Sequence, residues 1–320
     1  MNKLLRNLAA PRHSIYKIGD VSRRGVPYAI SRLLAIGNMP SFSGVLSLNT
    51  YDGSSQACHP TTAEWHGQLY LALTPYPYGE EWYENPSVYR FDAERGIYTP
   101  LPEAFPVVRP CQMGYEHYSD PCLYVKNGVL HLLFRRCERR PDGKIDQLFQ
   151  CRTEDGQHWS DPVLLLEEAG DMLISPAVVG DSLWCVRMTE SEKTELSMYA
   201  LQSDNISSYV PVSVDVPQDW RIWHIDVRQM SSGEIYGLFM LLKNGIDHLE
   251  SKLAMYKLEK DVWHYQRDID LPESIWRHIR YVYKSTILPD EKTILCSACD
   301  KQDRYILFQS SLVERPKGDA

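Results

Sequence analysis

Five times along the chain a strand opens on a polar residue, makes a turn and returns as a second strand rich in β-formers. The segments are HPTTAEWHGQLYLAL from His59, DPCLYVKNGVLHLLF from Asp120, SPAVVGDSLWCV from Ser175, HIDVRQMSSGEIYGLF from His224 and KSTILPDEKTILCSA from Lys284. The openings recur roughly every 50 to 60 residues, the spacing of a repeat architecture. Their turns carry Gly67, Asn127-Gly128, Gly180-Asp181, Ser232-Gly233 and Pro289-Asp290, which is hairpin chemistry. Third strands follow at 147–159, 195–204, 252–263 and 304–311, each with the alternation of a half-buried strand. Helical periodicity is almost absent. These features predict an all-β chain built as a five-bladed β-propeller, with a β-sandwich as the competing arrangement. Residues 1–50 lie outside the repeat and are expected to close or cap the ring, leaving 51–320 as the propeller. The proline-rich loop over 99–119 is long enough to suggest a functional role.

Composition narrows the function. The net charge is −8, which disfavours nucleic-acid binding, since that needs basic phosphate contacts. No apolar run of about 18 residues is present, so no membrane span is expected. The first residues lack a signal-peptide core, and the eight cysteines form no dense disulfide framework. A cytoplasmic location is the expectation, with a phage particle left open. Tyr (20) and Trp (8) far outnumber Phe (7). Their flat apolar faces with polar tips suit all-β packing and also suit sugar rings. Such faces would accept a carbohydrate ligand.

In a propeller the first strand of each blade lines the central channel, and ligands bind where those strands begin. Residues i and i+2 of a strand share a face. This spacing brings together His59 with Thr61, Asp120 with Cys122, Ser175 with Ala177, His224 with Asp226, and Lys284 with Thr286. The set suits acid–base work or hydrogen bonding to a polyol. The alternative is a solvated channel mouth.

The DP, SP and HID openings resemble those of the five-bladed propeller glycoside hydrolases, of families 43 and 32, and the phosphorylases of family 130. So does Thr153-Glu154-Asp155-Gly156-Gln157-His158-Trp159, which reads T-x-D-G-x-x-W. A closer likeness is to a group of bacterial and phage proteins. Its motifs appear here as Ser55-Gln56-Ala57-Cys58-His59-Pro60, Thr74-Pro75-Tyr76-Pro77, Glu84-Asn85-Pro86-Ser87 and Ser119-Asp120-Pro121. The enzyme families use a base at the first blade, a stabilising Asp at the second and an acid Glu at the third. By that resemblance Asp120 holds the second slot, while His59 and Ser175 depart from the pattern at the other two. Glu84, Glu116 and Asp226 are the replacement carboxylates, and His59 or His224 can move protons near neutral pH. The expected catalytic set is therefore Asp120, Asp226, Glu84, His59 and His224, with retention or inversion undecided. The resemblance implies a glycoside hydrolase-like enzyme acting on a bacterial glycan or oligosaccharide. A non-catalytic glycan-binding propeller remains the second reading.

Ser175 and Lys284, at two of the openings, are candidate substrate-binding residues. Arg135, Arg136 and Arg187 can grip an anionic sugar or bridge blades. Tyr76, Tyr78, Trp82 and Tyr83 form an aromatic loop, and Trp223 precedes the fourth opening; these can stack on a sugar or pack. No cofactor is called for. His59, His224 and Asp226 are the set that would hold a divalent ion, structural or catalytic, were one bound. Cys296 and Cys299 have C-x-x-C spacing but fall within a strand, where i and i+3 face opposite sides.

Overall fold

The structure is a computed structural model that describes residues 42–108, 116–140, 143–189, 193–202, 205–244 and 250–312. Its strands form three four-stranded antiparallel sheets and one nine-stranded sheet, in which two antiparallel groups of four are joined by a parallel pairing of Val210–Val214 with Val262–Asp268. Blade 1 comprises Ala57–Trp65, Gln68–Pro75, Ser87–Asp92 and Ile97–Pro100. The inner strands of blades 2 to 5 are Glu116–Lys126, Met172–Val179, Trp220–Gln229 and Ile279–Ile287. Each inner strand packs on the next, and the fifth returns to the first, so the ring is closed. The protein is a five-bladed β-propeller. The outer strand of blade 5 is Val45–Leu46, which pairs with Tyr305–Ser311 from the far end of the chain. Residues 1–41 lie outside the described residues. Among the described residues no helix is long and apolar enough to cross a membrane.

The second strand of a blade reads as a nearly continuous apolar run because both of its faces are covered. In Gln68–Pro75, Tyr70 and Ala72 join a cluster with Leu130, Leu132 and Phe134 of blade 2, while Leu71 and Leu73 join Leu295 and Leu307 of blade 5. The pattern repeats round the ring. Leu133 and Leu148 meet Leu183 and Tyr199 between blades 2 and 3, and Trp184 and Val186 meet Phe239 and Trp263 between blades 3 and 4. Leu238 and Leu253 meet Ile294 and Phe308 between blades 4 and 5. Five separate apolar layers are what a ring of blades needs, whereas a sandwich would have one. Cys296 lies in the layer between blades 4 and 5 and Cys299 in a separate cluster with Tyr281, Tyr283 and Tyr305, each buried, as opposite strand faces require.

The T-x-D-G-x-x-W segment is a turn. Asp155 Oδ1 accepts the N–H groups of Gln157 and His158, each at 2.8 Å, and Thr153 Oγ1 accepts that of Gly156. Gly156 has φ +74°, and a Cβ there would press on Tyr70 and Trp65. Glycine is needed on both counts.

Every inner strand carries an irregularity near its start. The register slips between Cys58 and Thr61, Ser119 and Cys122, Ile174 and Ala177, Ile222 and His224, and Val282 and Ser285. In the first three blades the bulged residues are His59-Pro60, Asp120-Pro121 and Ser175-Pro176. Proline suits such a position because it has no N–H to leave unpaired. His59, Asp120 and Ser175 have φ of 54°, 51° and 54°, an unusual region for side chains of these types. The bulges therefore re-aim three side chains at the start of the channel.

Candidate functional site

His59 from blade 1, Asp120 from blade 2 and His224 from blade 4 converge at that end of the ring. His59 Nε2 and His224 Nδ1 each stand 3.6 Å from Asp120 Oδ1. All three residues are at most 3% exposed. On the far edge of His59, Nδ1 lies 3.4 Å from Glu84 Oε1 and 3.1 Å from Thr74 Oγ1. Glu84 Oε2 in turn lies 3.7 Å from His117 Nε2, and Cys58 Sγ is 3.7 Å from Glu84 Oε1. Glu84 is delivered by a loop folded as two short 3-10 turns, Pro77–Gly79 and Glu81–Tyr83. Gln56 fixes that loop to blade 5, its Oε1 accepting the N–H groups of Tyr78 at 2.9 Å and Tyr305 at 3.2 Å.

Arg135 supports the acid. Its Nε donates to Ser119 Oγ at 3.1 Å and lies 3.6 Å from Asp120 Oδ2, while Nη1 lies 3.5 Å from Asp146. Asp146 also accepts the Leu173 N–H, tying blade 2 to blade 3. The environments push the two acids apart. Burial acts against the charge of Asp120, but His59, Arg135, His224 and Lys284 outweigh it and hold the carboxyl below its ordinary range. Burial, reinforced by the charge of Asp120, pushes Glu84 well above its ordinary value. Burial also lowers His59 to about 4, and it takes His117 well below the ordinary imidazole value.

Aromatic rings crowd the cluster. Tyr283 lies 5.3 Å from His59 and 4.6 Å from His224, and Trp223 meets His224 edge-on at 5.8 Å. Tyr76 is 6.2 Å from His59 and edge-on to Tyr305 at 4.5 Å. Tyr281 and Tyr305 share a hydroxyl–hydroxyl hydrogen bond of 2.8 Å. Tyr76, Tyr83 and Trp223 keep partial exposure, while Tyr78 and Trp82 are buried.

The other candidates fall elsewhere. Asp226 is hydrogen-bonded to the Thr286 side chain and the Ile287 backbone; burial raises its pKa, with Lys284 and Arg228 opposing. It follows His224 by two residues, about 6.6 Å of strand rise, and so sits further along the channel. Lys284 is fully buried and its ammonium donates to the Pro121 carbonyl at 3.4 Å. The Ser175 hydroxyl is spent on Ile225, donating to its C=O at 2.7 Å and accepting its N–H at 3.1 Å. Arg187 pairs with Asp171 at 2.8 Å and Glu168 at 3.2 Å, joining blades 2 and 3, and lies over Tyr209. Arg136 and Glu116 pair with each other. Trp82 is buried, with the Arg139 guanidinium over its ring and His117 edge-on to it.

Sequence reasoning missed His117, Asp146, Tyr283 and Tyr305, and it left Cys58 unweighed. His117 was legible in principle. It precedes Ser119 by two residues on one strand, and Ser119 opposes Arg135 across the ladder.

No protein-family model matches the sequence, and no curated protein matches it. Solved structures do. An N-acetylgalactosamine deacetylase from F. plautii, in complex with blood group B trisaccharide, shares 15% identity at a TM-score of 0.67, over 84% of this chain and 94% of that one. A GH43_1 enzyme from Xanthomonas citri complexed with xylose shares 13% at 0.60, over 90% and 95%. A GH43 endo-arabinanase from Bacillus licheniformis shares 12% at 0.55, over 87% and 99%. These likenesses place the fold among the propellers of the glycoside hydrolase kind.

Proposed function

We propose that the chain is a carbohydrate-active protein of the glycoside hydrolase propeller kind, an enzyme that acts on a bacterial glycan or oligosaccharide. One observation carries this reading: an acid that is held ionised, Asp120, and a second acid, Glu84, stand on opposite edges of His59 beside partly exposed Tyr76 and Trp223. A sugar stacked on those rings would present its polar edge to the cluster. Asp120 supplies the negative charge that an oxocarbenium-like transition state needs, and Glu84 is the group placed to move a proton. His59 and Ser175 at the first and third openings mean that the three-acid set of families 43 and 32 is not reproduced residue for residue. The similar structures, a deacetylase, a GH43_1 enzyme complexed with xylose and an arabinanase, support a carbohydrate ligand, not a particular bond. In this reading Val45–Leu46 complete the ring.

The experiment is a screen of oligosaccharides for binding and for product release, followed by Asp120→Asn and Glu84→Gln on any substrate turned over. Each variant should keep its circular dichroism and lose at least about 100-fold in turnover. Near-normal activity in both would overturn the roles. The second reading, a glycan-binding propeller without turnover, is favoured by the third opening, where Ser175 offers no carboxyl and its hydroxyl is already used. Saturable binding with no product would establish it.

A further inference from the structure

Three ligand-type atoms from three blades meet at the start of the channel. His59 Nε2, Asp120 Oδ1 and His224 Nδ1 all lie within 4.8 Å of one another. Both ring nitrogens stand 3.6 Å from the same carboxylate oxygen. That is too long for a hydrogen bond. Asp120 Oδ1 is moreover a buried oxygen with no hydrogen-bond partner among the described residues. A carboxylate oxygen left this way is costly unless something else meets it. Ligand atoms held about 2.1 Å from one ion stand about 3.4 Å apart in a tetrahedron, close to the spacing seen.

The surroundings aim two of the three atoms inward. The Nδ1 edge of His59 faces Glu84 Oε1 at 3.4 Å and Thr74 Oγ1 at 3.1 Å, which leaves Nε2 toward Asp120. This is the carboxylate–histidine arrangement that supports imidazole ligands. Asp120 Oδ2 accepts the Ser119 hydroxyl at 3.2 Å and faces Arg135, which leaves Oδ1 for the centre. The nearby cations have partners besides Asp120, Lys284 donating to the Pro121 carbonyl. Arg135 is paired with Asp146, and the charge of Lys284 acts on Asp226 as well as on Asp120.

We infer that His59, Asp120 and His224 form a binding site for one divalent transition-metal ion of the zinc or manganese class, with its remaining positions open to water or a substrate oxygen. Two imidazoles and one carboxylate suit such ions better than magnesium or calcium, which prefer all-oxygen shells. The ligand acid is Asp120 rather than Asp226, which lies further along the channel. A second grouping, Cys58, His59 and Glu84, has similar spacing. It uses the other nitrogen of His59 and acts as outer support. The site does not depend on the glycan reading, and its test uses no glycan.

The full chain is stripped with a chelator, dialysed and titrated with Zn2+, Mn2+, Co2+ and Ca2+ by calorimetry, with stoichiometry from elemental analysis. One equivalent of Zn2+ or Mn2+ should bind in the micromolar range or tighter, with Ca2+ much weaker. Asp120→Asn and His224→Gln should abolish binding, while Glu84→Gln should weaken it by roughly 10- to 100-fold. Cys58→Ser and Asp226→Asn should retain it. The Co2+ complex should show d–d bands without a thiolate charge-transfer band, a readout that does not rely on any variant folding. Absence of saturable transition-metal binding below about 1 mM would overturn the assignment. So would a thiolate–cobalt band lost in Cys58→Ser, or binding that survives Asp120→Asn and fails in Asp226→Asn.

Discussion

Replacing Ser175 with alanine removes a pin between blades 3 and 4 while leaving the convergent cluster in place. The hydroxyl donates to the Ile225 carbonyl and accepts the Ile225 N–H, at 2.7 and 3.1 Å, and both residues are buried. Alanine leaves one backbone donor and one acceptor without that partner. Each such loss costs about 1 kcal/mol or somewhat more, so the variant should be less stable by about 2–3 kcal/mol. In a chain of this size each kcal/mol moves Tm by about 2 °C, which makes the expected fall roughly 4–6 °C. A second variant checks the backbone argument. Ser175 has φ 54°, where a Cβ is strained, so Ser175→Gly loses the same hydroxyl but should be about 0.5 kcal/mol more stable than Ser175→Ala. Urea unfolding with an unchanged m-value measures both differences. A Ser175→Ala protein with the wild-type midpoint but weakened glycan binding would refute the reasoning, because the hydroxyl would then face ligand rather than Ile225.

Gly237→Ala would set a Cβ 2.5 Å from Phe239 Cε1 and 3.1 Å from Trp263, so it should destabilise by about 1–3 kcal/mol in urea unfolding. Arg187→Ala should cost about 1 kcal/mol or less and leave glycan affinity unchanged in calorimetry, since its partners Glu168 and Asp171 are partly exposed. A tenfold loss of affinity there would return Arg187 to the site. Gln56→Ala releases the Tyr78 and Tyr305 N–H groups that hold the loop carrying Glu84. Hydrogen exchange should quicken across 76–84 and glycan affinity should fall, and unaltered exchange would deny Gln56 its positioning role.

The ring was readable because each blade repeats its turn chemistry and because double-sided burial makes the second strands conspicuously apolar. Five openings gave five inner strands, and His59, Asp120 and His224 were found among them. The i, i+2 rule that selected their companions failed at the openings themselves. It assumes an unbroken pleat, whereas the register slips at residues 59–60, 120–121 and 175–176. Past the bulge, Thr61 does not accompany His59; its hydroxyl accepts the Leu123 N–H of the next blade. Asp226 does lie after its bulge with His224, but two residues of rise carry it past the cluster. Glu84 was singled out through its loop, while Tyr283 and Tyr305 went unremarked because nothing in a local pattern tells a tyrosine packed within a blade from one packed against this cluster. Arg187 was left even between anion binding and blade bridging, and its carboxylate partners come from a neighbouring blade that sequence spacing does not reveal.

Val45 pairs with Phe308, and the first inner strand, Ala57–Trp65, rests against the last, Ile279–Ile287. During synthesis the earliest blade is therefore ready long before the strands that cover it exist. Leu71, Leu73 and Tyr89, all fully buried in the finished ring, must wait beside an empty flank until Leu295 and Leu307 have left the ribosome. Contacts this distant along the chain form slowly, and uncovered apolar faces invite association between nascent chains. The vulnerable interval in this protein's life runs from the emergence of its first blade to the docking of its fifth.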